Sequence, residues 1–220
     1  MAATPGAGAH RAPALQSLHP HSPMLKALCS RLFDLHGWEF AGEAFTDHPR
    51  CVVTAAPHTS NWDFVYTIAS FDRLGLPMRF TIKQEWLKPP FGPMMRSVGA
   101  LPIDRSPKTP GAERPSMVEA MVGIFDTTPG PLALVIPPEG SRSLRRQWKT
   151  GFYHVAKLAG VPILLGFLDY EKKLAGIGGV LHPGDDMDAD MRSLMRFYSD
   201  IHPRYPDLFA LDERYPLDPP

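Results

Sequence analysis

The segment VVTAAPHTSNWD, residues 52–63, joins an apolar run to a polar hexapeptide, HTSNWD, and a helix-like segment follows it. The run Val52–Ala56 is typical of a buried strand, and Phe64–Leu74 is predicted as the next helix. His58 and Asp63 therefore fall on an exposed turn between two elements that the core holds in place. Turns that leave a strand and enter a helix are where α/β proteins carry reactive groups.

A histidine and a carboxylate five positions apart can act as a base and the group that orients it. A neutral imidazole accepts a proton from a hydroxyl near physiological pH, and a carboxylate on the other ring nitrogen fixes the tautomer. The alternative is purely structural: Asn61 or Asp63 caps the helix, and His58 is an ordinary turn residue. These six residues alone do not separate the two interpretations.

Outward from this turn, predicted strands alternate with predicted helices, and no internal repeat is present. The strands are Trp38–Ala41, Arg50–Ala56, Met78–Lys83, Ala100–Ile103, Leu132–Ile136, Val161–Leu168 and, at an edge of the sheet, Leu174–Leu181. The helices are Met24–His36, Phe64–Leu74, Ser116–Phe125, Trp148–Ala159 and Asp188–Ile201. This alternation predicts an α/β fold with a mainly parallel central sheet flanked by helices.

Composition narrows the function classes. The chain has 220 residues, enough for one core, and its formal net charge of zero gives no general attraction to nucleic acid. The two cysteines, Cys29 and Cys51, have no partner at metal-ligand spacing, so no metal site and no disulfide scaffold are predicted. No apolar run approaches the roughly 20 residues of a membrane-spanning helix, and a cytoplasmic protein is expected.

Three regions are predicted along the chain: a disordered leader at 1–23, a folded domain at 24–202 and a C-terminal tail at 203–220. The leader is rich in Ala, Pro, Gly and His and lacks the apolar centre of a signal peptide. The domain begins with an amphipathic helix at 24–36, whose apolar stripe consists of Leu25, Leu28, Leu32 and Leu35. Core packing explains such a stripe, and contact with a membrane surface is the alternative.

Two further segments end predicted strands with anion-binding residue types. Ala100–Ile103 is followed by Asp104 and Arg105, where an arginine can grip a phosphate with two hydrogen bonds or form a surface ion pair. Leu132–Ile136 is followed by PPEGSRS, residues 137–143, which could cradle an anion or form a plain turn. The stretch 140–168 has no acidic residue but carries Arg142, Arg145, Arg146, Lys149 and Lys157, either as a solvated face or as a phosphate pocket.

The three blocks occur in one order: His58 and Asp63 with four residues between them, PIDR at 102–105, and PPEGSRS at 137–143. This order resembles the glycerophospholipid acyltransferase superfamily, typified by the lysophosphatidic acid acyltransferases. The resemblance runs from about Trp38 to Leu168. It implies an acyltransferase-like single domain that needs no cofactor, with acyl-CoA or acyl-carrier protein as co-substrate.

The resemblance also implies roles for individual residues. His58 would be the general base that takes the proton of an acceptor hydroxyl, and Asp63 would hold its ring. Arg105 would bind the phosphate of the acceptor. The third block, with Glu139, Gly140, Ser141 and Arg142, would shape the acceptor site, and Lys83 and Lys149 are additional cationic candidates. Backbone amides near the histidine turn or the third block are candidates for stabilising the oxyanion.

Two departures from the family pattern affect the expected partners. Val161-Pro162-Ile163 lacks the second proline that usually follows soon after, which leaves the identity of the acyl donor open. The chain also has one short amphipathic helix where many relatives have a more hydrophobic pair. We therefore expect a peripheral enzyme, cytoplasmic or at the inner face of the membrane, with an acyl thioester donor and a phosphorylated lipid acceptor.

Other functions remain open at this point. The acceptor could be a sugar, an amino-acid lipid or another molecule that is not a glycerolipid. The same His–Asp pair could activate water and hydrolyse the thioester. A catalytically silent lipid-binding protein is the third class, although a binding protein has no need for that pair.

Overall fold

The computed structural model of the chain describes residues 23–41, 47–103 and 115–217. Its strands are β1 Glu39–Ala41, β2 Arg50–Ala56, β3 Met78–Lys83, β4 Ala100–Ile103, β5 Leu132–Ile136, β6 Ile163–Asp169 and β7 Leu174–Leu181. Its α-helices are α1 Pro23–Leu35, α2 Trp62–Leu74, α3 Gly92–Ser97, α4 Met117–Thr127, α5 Gly151–Ala159 and α6 Met187–Tyr198. Two short 3₁₀ helices, Gln84–Leu87 and Pro206–Leu208, complete the described elements.

The strands form one sheet in the order β1-β7-β6-β2-β5-β3-β4. Strands β2 to β6 are parallel, whereas β7 runs antiparallel to β6 and pairs in parallel with β1. Apolar clusters lie on the two faces, one with α4, α5 and α6 and the other with α1 and α2. The predicted α/β class with a mainly parallel sheet flanked by helices is confirmed.

Strand β2 lies at the centre of this sheet, between β5 and β6. Its inner residues Cys51, Val52 and Val53 are almost completely buried, which is why the strand reads as a continuous apolar run. The carboxyl ends of β2 and β5 lie side by side, with Thr54 paired with Ile136. The two polar segments that follow these strands are therefore brought together at one edge of the sheet.

The sequence predicted that strand β7 lies at an edge of the sheet, and this prediction is wrong. The three-residue strand β1 pairs along its outer side, with Ala41 opposite Gly176. A Cβ atom on Gly176 would lie 1.6 Å from the carbonyl oxygen of Ala41, so only glycine permits this pairing. The need for glycine at position 176 arises from the neighbouring strand, so the local pattern of apolar residues could not predict the pairing of β7 with β1.

Helix α1 buries a different face from the one its leucines predicted. Cys29 and Phe33 are its buried residues, whereas Leu28 and Leu35 are exposed. Phe33 packs against the rings of Trp38 and α2, so the aromatic residue rather than the leucine stripe determines how the helix sits. In the described part of the chain, no helix is long and apolar enough to cross a membrane.

Helix α5 begins at Gly151, three residues later than predicted. The backbone N–H of Trp148 donates to the buried carboxylate of Asp212, and its indole N–H donates to the carbonyl of Ala210. These bonds from the C-terminal segment hold Trp148 outside the helix. The described part of the predicted tail, 203–217, is thus packed on the domain through Trp148.

Candidate active site

His58 and Asp63 are in contact at the carboxyl edge of the sheet. A cis peptide bond joins Ala56 at the end of β2 to Pro57, and α2 begins at Trp62, so Asp63 lies in the first turn of this helix. The Nδ1 atom of His58 is 3.2 Å from Oδ2 of Asp63. Because an ionised carboxylate only accepts, this contact fixes the tautomer with the proton on Nδ1 and leaves Nε2 as the acceptor.

The carboxylate of Asp63 is held by several donors although it is almost fully buried. The backbone N–H groups of Thr59 and Ser60 each donate to Oδ2 at 2.8 Å. Asn61, the alternative helix cap, makes no side-chain capping bond. Asp63 binds the imidazole and two backbone amides that precede the helix, so these contacts fix the histidine turn and do not cap α2.

Tyr170 completes the set of donors and was missed by the sequence analysis. Its hydroxyl donates to Oδ1 of Asp63 at 2.5 Å. Burial raises the pKa of Tyr170, and the charge of Asp63 raises it further, so the hydroxyl keeps its proton. Tyr170 directly follows β6, and its position at the carboxyl end of a strand beside β2 is the signal that could have identified it.

Glu139 contacts the histidine turn and does not line the cavity, and its implied part in shaping the acceptor site stays a prediction. It is 3% exposed, and its Oε1 accepts a hydrogen bond from the backbone N–H of His58 at 2.8 Å. Its Oε2 has no hydrogen-bond partner among the described residues. Burial raises the pKa of Glu139 to about 7, although the His58 amide lowers it.

A cavity of about 890 Å³ opens beside the imidazole. Its polar lining residues include His58, Asp63, Asn61, Lys83, Gly140, Ser141, Arg142, Ser143 and Lys149. Its apolar lining residues include Phe40, Val53, Phe64, Phe71, Leu74, Met78, Phe80, Leu168 and Ile177. A cavity of this size, with many apolar lining residues and three lysine or arginine side chains, suits a ligand with a lipid chain and an anionic group.

Most of the third block and both predicted lysines line this cavity. Gly140 has a positive φ of 68°, and a Cβ atom there would lie 2.9 Å from Nζ of Lys149, so the lysine side chain crosses directly over the glycine. Lys149 is also tied to the block by its backbone N–H, which donates to the carbonyl of Pro138. Arg105 lies outside the described residues, and its predicted contact with phosphate stays a prediction.

Three backbone amides of the histidine turn already have hydrogen-bond partners. The N–H of His58 donates to Glu139, and those of Thr59 and Ser60 donate to Asp63. In the third block, the N–H of Gly140 donates to the carbonyl of Pro137. These four amides are engaged within the protein, and the other amides near the two segments stay the predicted donors to an oxyanion.

Across the described ranges, no three His, Cys, Asp or Glu side chains form a group that could hold a metal ion.

Comparisons with known proteins show the family and support the fold. A family model described as Acyltransferase matches residues 39–164, more than half of the chain. Among solved structures, the chain is similar to the crystal structure of the 1-acyl-sn-glycerophosphate (LPA) acyltransferase PlsC from Thermotoga maritima, at 16% sequence identity and a TM-score of 0.51. That similarity covers 80% of this chain and 75% of the other and supports the fold. Comparison with curated proteins gives no match.

The raised pKa of Glu139 makes a prediction about stability. A carboxyl group whose pKa is higher in the folded protein stabilises the fold fully below its unfolded value, here 4.5, and this contribution is lost as the pH rises through about 7. Relative to Glu139→Gln, the wild type should lose roughly 3 kcal/mol of unfolding free energy between about pH 4 and pH 8. Urea denaturation across this range measures the difference.

The control for this experiment is Asp126→Asn, which alters an exposed carboxylate on α4. Its unfolding free energy should follow that of the wild type at every pH. A constant difference between wild type and Glu139→Gln across the range would contradict the raised pKa.

Proposed function

The chain belongs to the acyltransferase family, and on this premise we propose that it transfers a fatty acyl group from a thioester donor to a hydroxyl of a lysophospholipid such as lysophosphatidic acid. The observation that carries the proposal is the contact between His58 and Asp63, which together line a largely apolar cavity. The thioester is that of acyl-CoA or of acyl-carrier protein.

In the proposed reaction, Nε2 of His58 takes the proton of the acceptor hydroxyl as its oxygen attacks the thioester carbonyl. Asp63 stabilises the imidazolium that forms. The tetrahedral intermediate collapses with cleavage of the carbon–sulfur bond, and the imidazolium returns the proton to the leaving thiolate. The products are an ester and a free thiol, so no redox step is needed.

Three cationic side chains of the cavity support a phosphorylated acceptor. Lys83, Arg142 and Lys149 line the cavity, and all three are exposed enough to meet a ligand arriving from solvent or a lipid surface. A phosphate held there would bring the adjacent hydroxyl of a lysophospholipid toward the imidazole. Positioning of this kind supplies much of the rate of an acyl transfer. Arg105 is retained in the proposal as a further phosphate ligand.

Helix α2 provides a wall for the acyl chain. Thr67, Ser70, Phe71 and Leu74 all line the cavity, and their spacing places them on one face of the helix. Leu74 follows Asp63 by eleven residues in this helix, which corresponds to about 16 Å along the axis. Since an extended chain advances about 1.2 Å per bond, this length accommodates an acyl chain of about 14 carbon atoms.

We also propose that the enzyme contacts a membrane surface beside the cavity mouth. Trp86, which lines the cavity, is 59% exposed, and Phe91 in the same segment is 56% exposed. Exposed Lys83 and Lys88 flank them, and aromatic side chains beside lysines suit the interface of an anionic membrane. The exposed leucines of α1, named above, are a second candidate surface.

The base assignment predicts the behaviour of His58→Ala. Its rate of thiol release should fall roughly a thousandfold, because the acceptor hydroxyl loses its proton acceptor. The assay follows free thiol from acyl-CoA and acyl-carrier-protein donors, with lysophosphatidic acid or a non-glycerolipid alcohol present or absent. His154→Ala, on the exposed side of α5, should behave as wild type.

Each outcome of this assay has one meaning. Release that requires an acceptor supports acyl transfer, and the acceptor that works identifies the substrate class. Release that is equally fast without any acceptor indicates thioester hydrolysis. Full activity of His58→Ala would overturn the base assignment.

The wall formed by α2 predicts a change in chain-length preference. Ser70 lies about 10 Å along the helix from Asp63, so the larger side chain of Ser70→Leu should shorten the usable cavity. We expect the preferred donor to become shorter by roughly 4 to 6 carbon atoms, with rates on short donors retained. Competition among donors of different lengths measures this, and Ser193→Leu on the exposed face of α6 is the control. An unchanged preference would rule out this position for the acyl chain.

The membrane proposal predicts that Trp86→Gln with Phe91→Gln weakens co-sedimentation with vesicles of anionic phospholipid. The loss of two interfacial aromatic side chains should reduce binding by roughly tenfold or more. Leu158→Gln is the matched control, because Leu158 is 66% exposed on α5 and does not line the cavity. If binding falls only in Leu28→Gln with Leu35→Gln, the contact is through α1 and the proposed surface is wrong.

A further inference from the structure

We propose that Tyr170 is a positioning residue of the active site, which holds Asp63 so that its other oxygen faces His58. This inference rests on the proposed function. Tyr170 lies beyond residues 39–164, the segment that the family model matches. Tyr170 also lies outside the three sequence blocks.

The division of donors between the two oxygens of Asp63 is the first support. Oδ2 accepts from the imidazole and from the amides of Thr59 and Ser60, all of which belong to the turn itself. Oδ1 accepts from Tyr170, which comes from the opposite side, after β6. Without this hydroxyl, the carboxylate would be held on one side only and could rotate away from His58. An oxygen atom left without a donor in a buried carboxylate is also costly.

The second support is that Tyr170 is itself held on several sides. Its ring meets the ring of Trp38 edge-on, with centroids 4.9 Å apart, and lies 6.0 Å from that of Tyr66. Its backbone N–H donates to the carbonyl of His202 at 2.8 Å, and the guanidinium of Arg204 lies 5.8 Å from its ring centroid. A hydroxyl on a side chain fixed in this way has little freedom, so it can impose a position on its partner.

The third support is that Tyr170 does not line the cavity, whereas His58 and Asp63 do. A substrate in the cavity therefore meets the imidazole and not the phenol. Any effect of Tyr170 on the reaction must pass through Asp63. This separates it from a substrate-binding residue and gives the inference a kinetic signature.

The test is Tyr170→Phe, which removes the hydroxyl and keeps the ring contacts that hold the segment. We expect kcat to fall roughly tenfold, because a hydrogen bond to a charged group is lost, whereas KM for donor and acceptor should change less than roughly twofold. Thermal unfolding of the variant confirms that the fold is retained. A KM that rises with kcat unchanged would overturn the positioning role.

Tyr66→Phe is the matched control. Tyr66 is a buried tyrosine in the same aromatic cluster, but its hydroxyl contacts Nδ1 of His36 at 2.8 Å. Its loss should therefore leave kcat within roughly twofold of the wild type. If Tyr66→Phe and Tyr170→Phe lower kcat equally, the effect belongs to the cluster and the inference is wrong.

A double-mutant cycle with Asp63→Asn tests whether Tyr170 acts through the carboxylate. If it does, adding Tyr170→Phe to Asp63→Asn should cost much less than the same change in the wild type. Additive losses would overturn the inference. The proposed function has its own separate test, because an inactive His58→Ala with a fully active Tyr170→Phe would refute only the role of Tyr170.

Discussion

The candidate active site depends on one buried carboxylate. Asp63 is 3% exposed, and a carboxylate in such a position is tolerated only where donors replace the water that it has lost. The turn after β2 supplies three of these donors and the residue after β6 supplies a fourth. The parallel pairing of β2 with β6 brings the two sources to the same place. The imidazole is oriented because the carboxylate is already fixed.

Two carboxyl groups, those of Asp63 and Glu139, contact His58 and differ in the number of hydrogen bonds that they accept. Asp63 receives donors on both oxygens, whereas Glu139 receives the His58 amide on one oxygen and lacks a described partner on the other. Burial raises the pKa of Glu139 to about 7, because the His58 amide offsets only part of its effect. Asp63 is therefore placed to stabilise a protonated His58, and Glu139 holds the backbone of the histidine turn.

The sheet was largely predictable from the sequence because its central strands are buried on both faces. The bounds of β2, β3, β4 and β5 agree with their apolar runs. The contact between His58 and Asp63 was one of two interpretations of the turn that carries them, and the order of the three sequence blocks favoured it. What could not be predicted depends on residues distant in the chain. Tyr170 reaches Asp63 across 107 positions. Asp212 keeps Trp148 out of α5. The Glu139 side chain, after β5, accepts from the backbone N–H of His58 in the turn after β2.

Helix α2 carries Asp63 in its first turn and the wall of the cavity on one face of its later turns. A helix behaves as a rod, so any displacement that lengthened the cavity would also move the carboxylate. Under the proposed function, substitutions at the α2 positions that line the cavity would change the chain-length preference while the helix that carries Asp63 keeps its place.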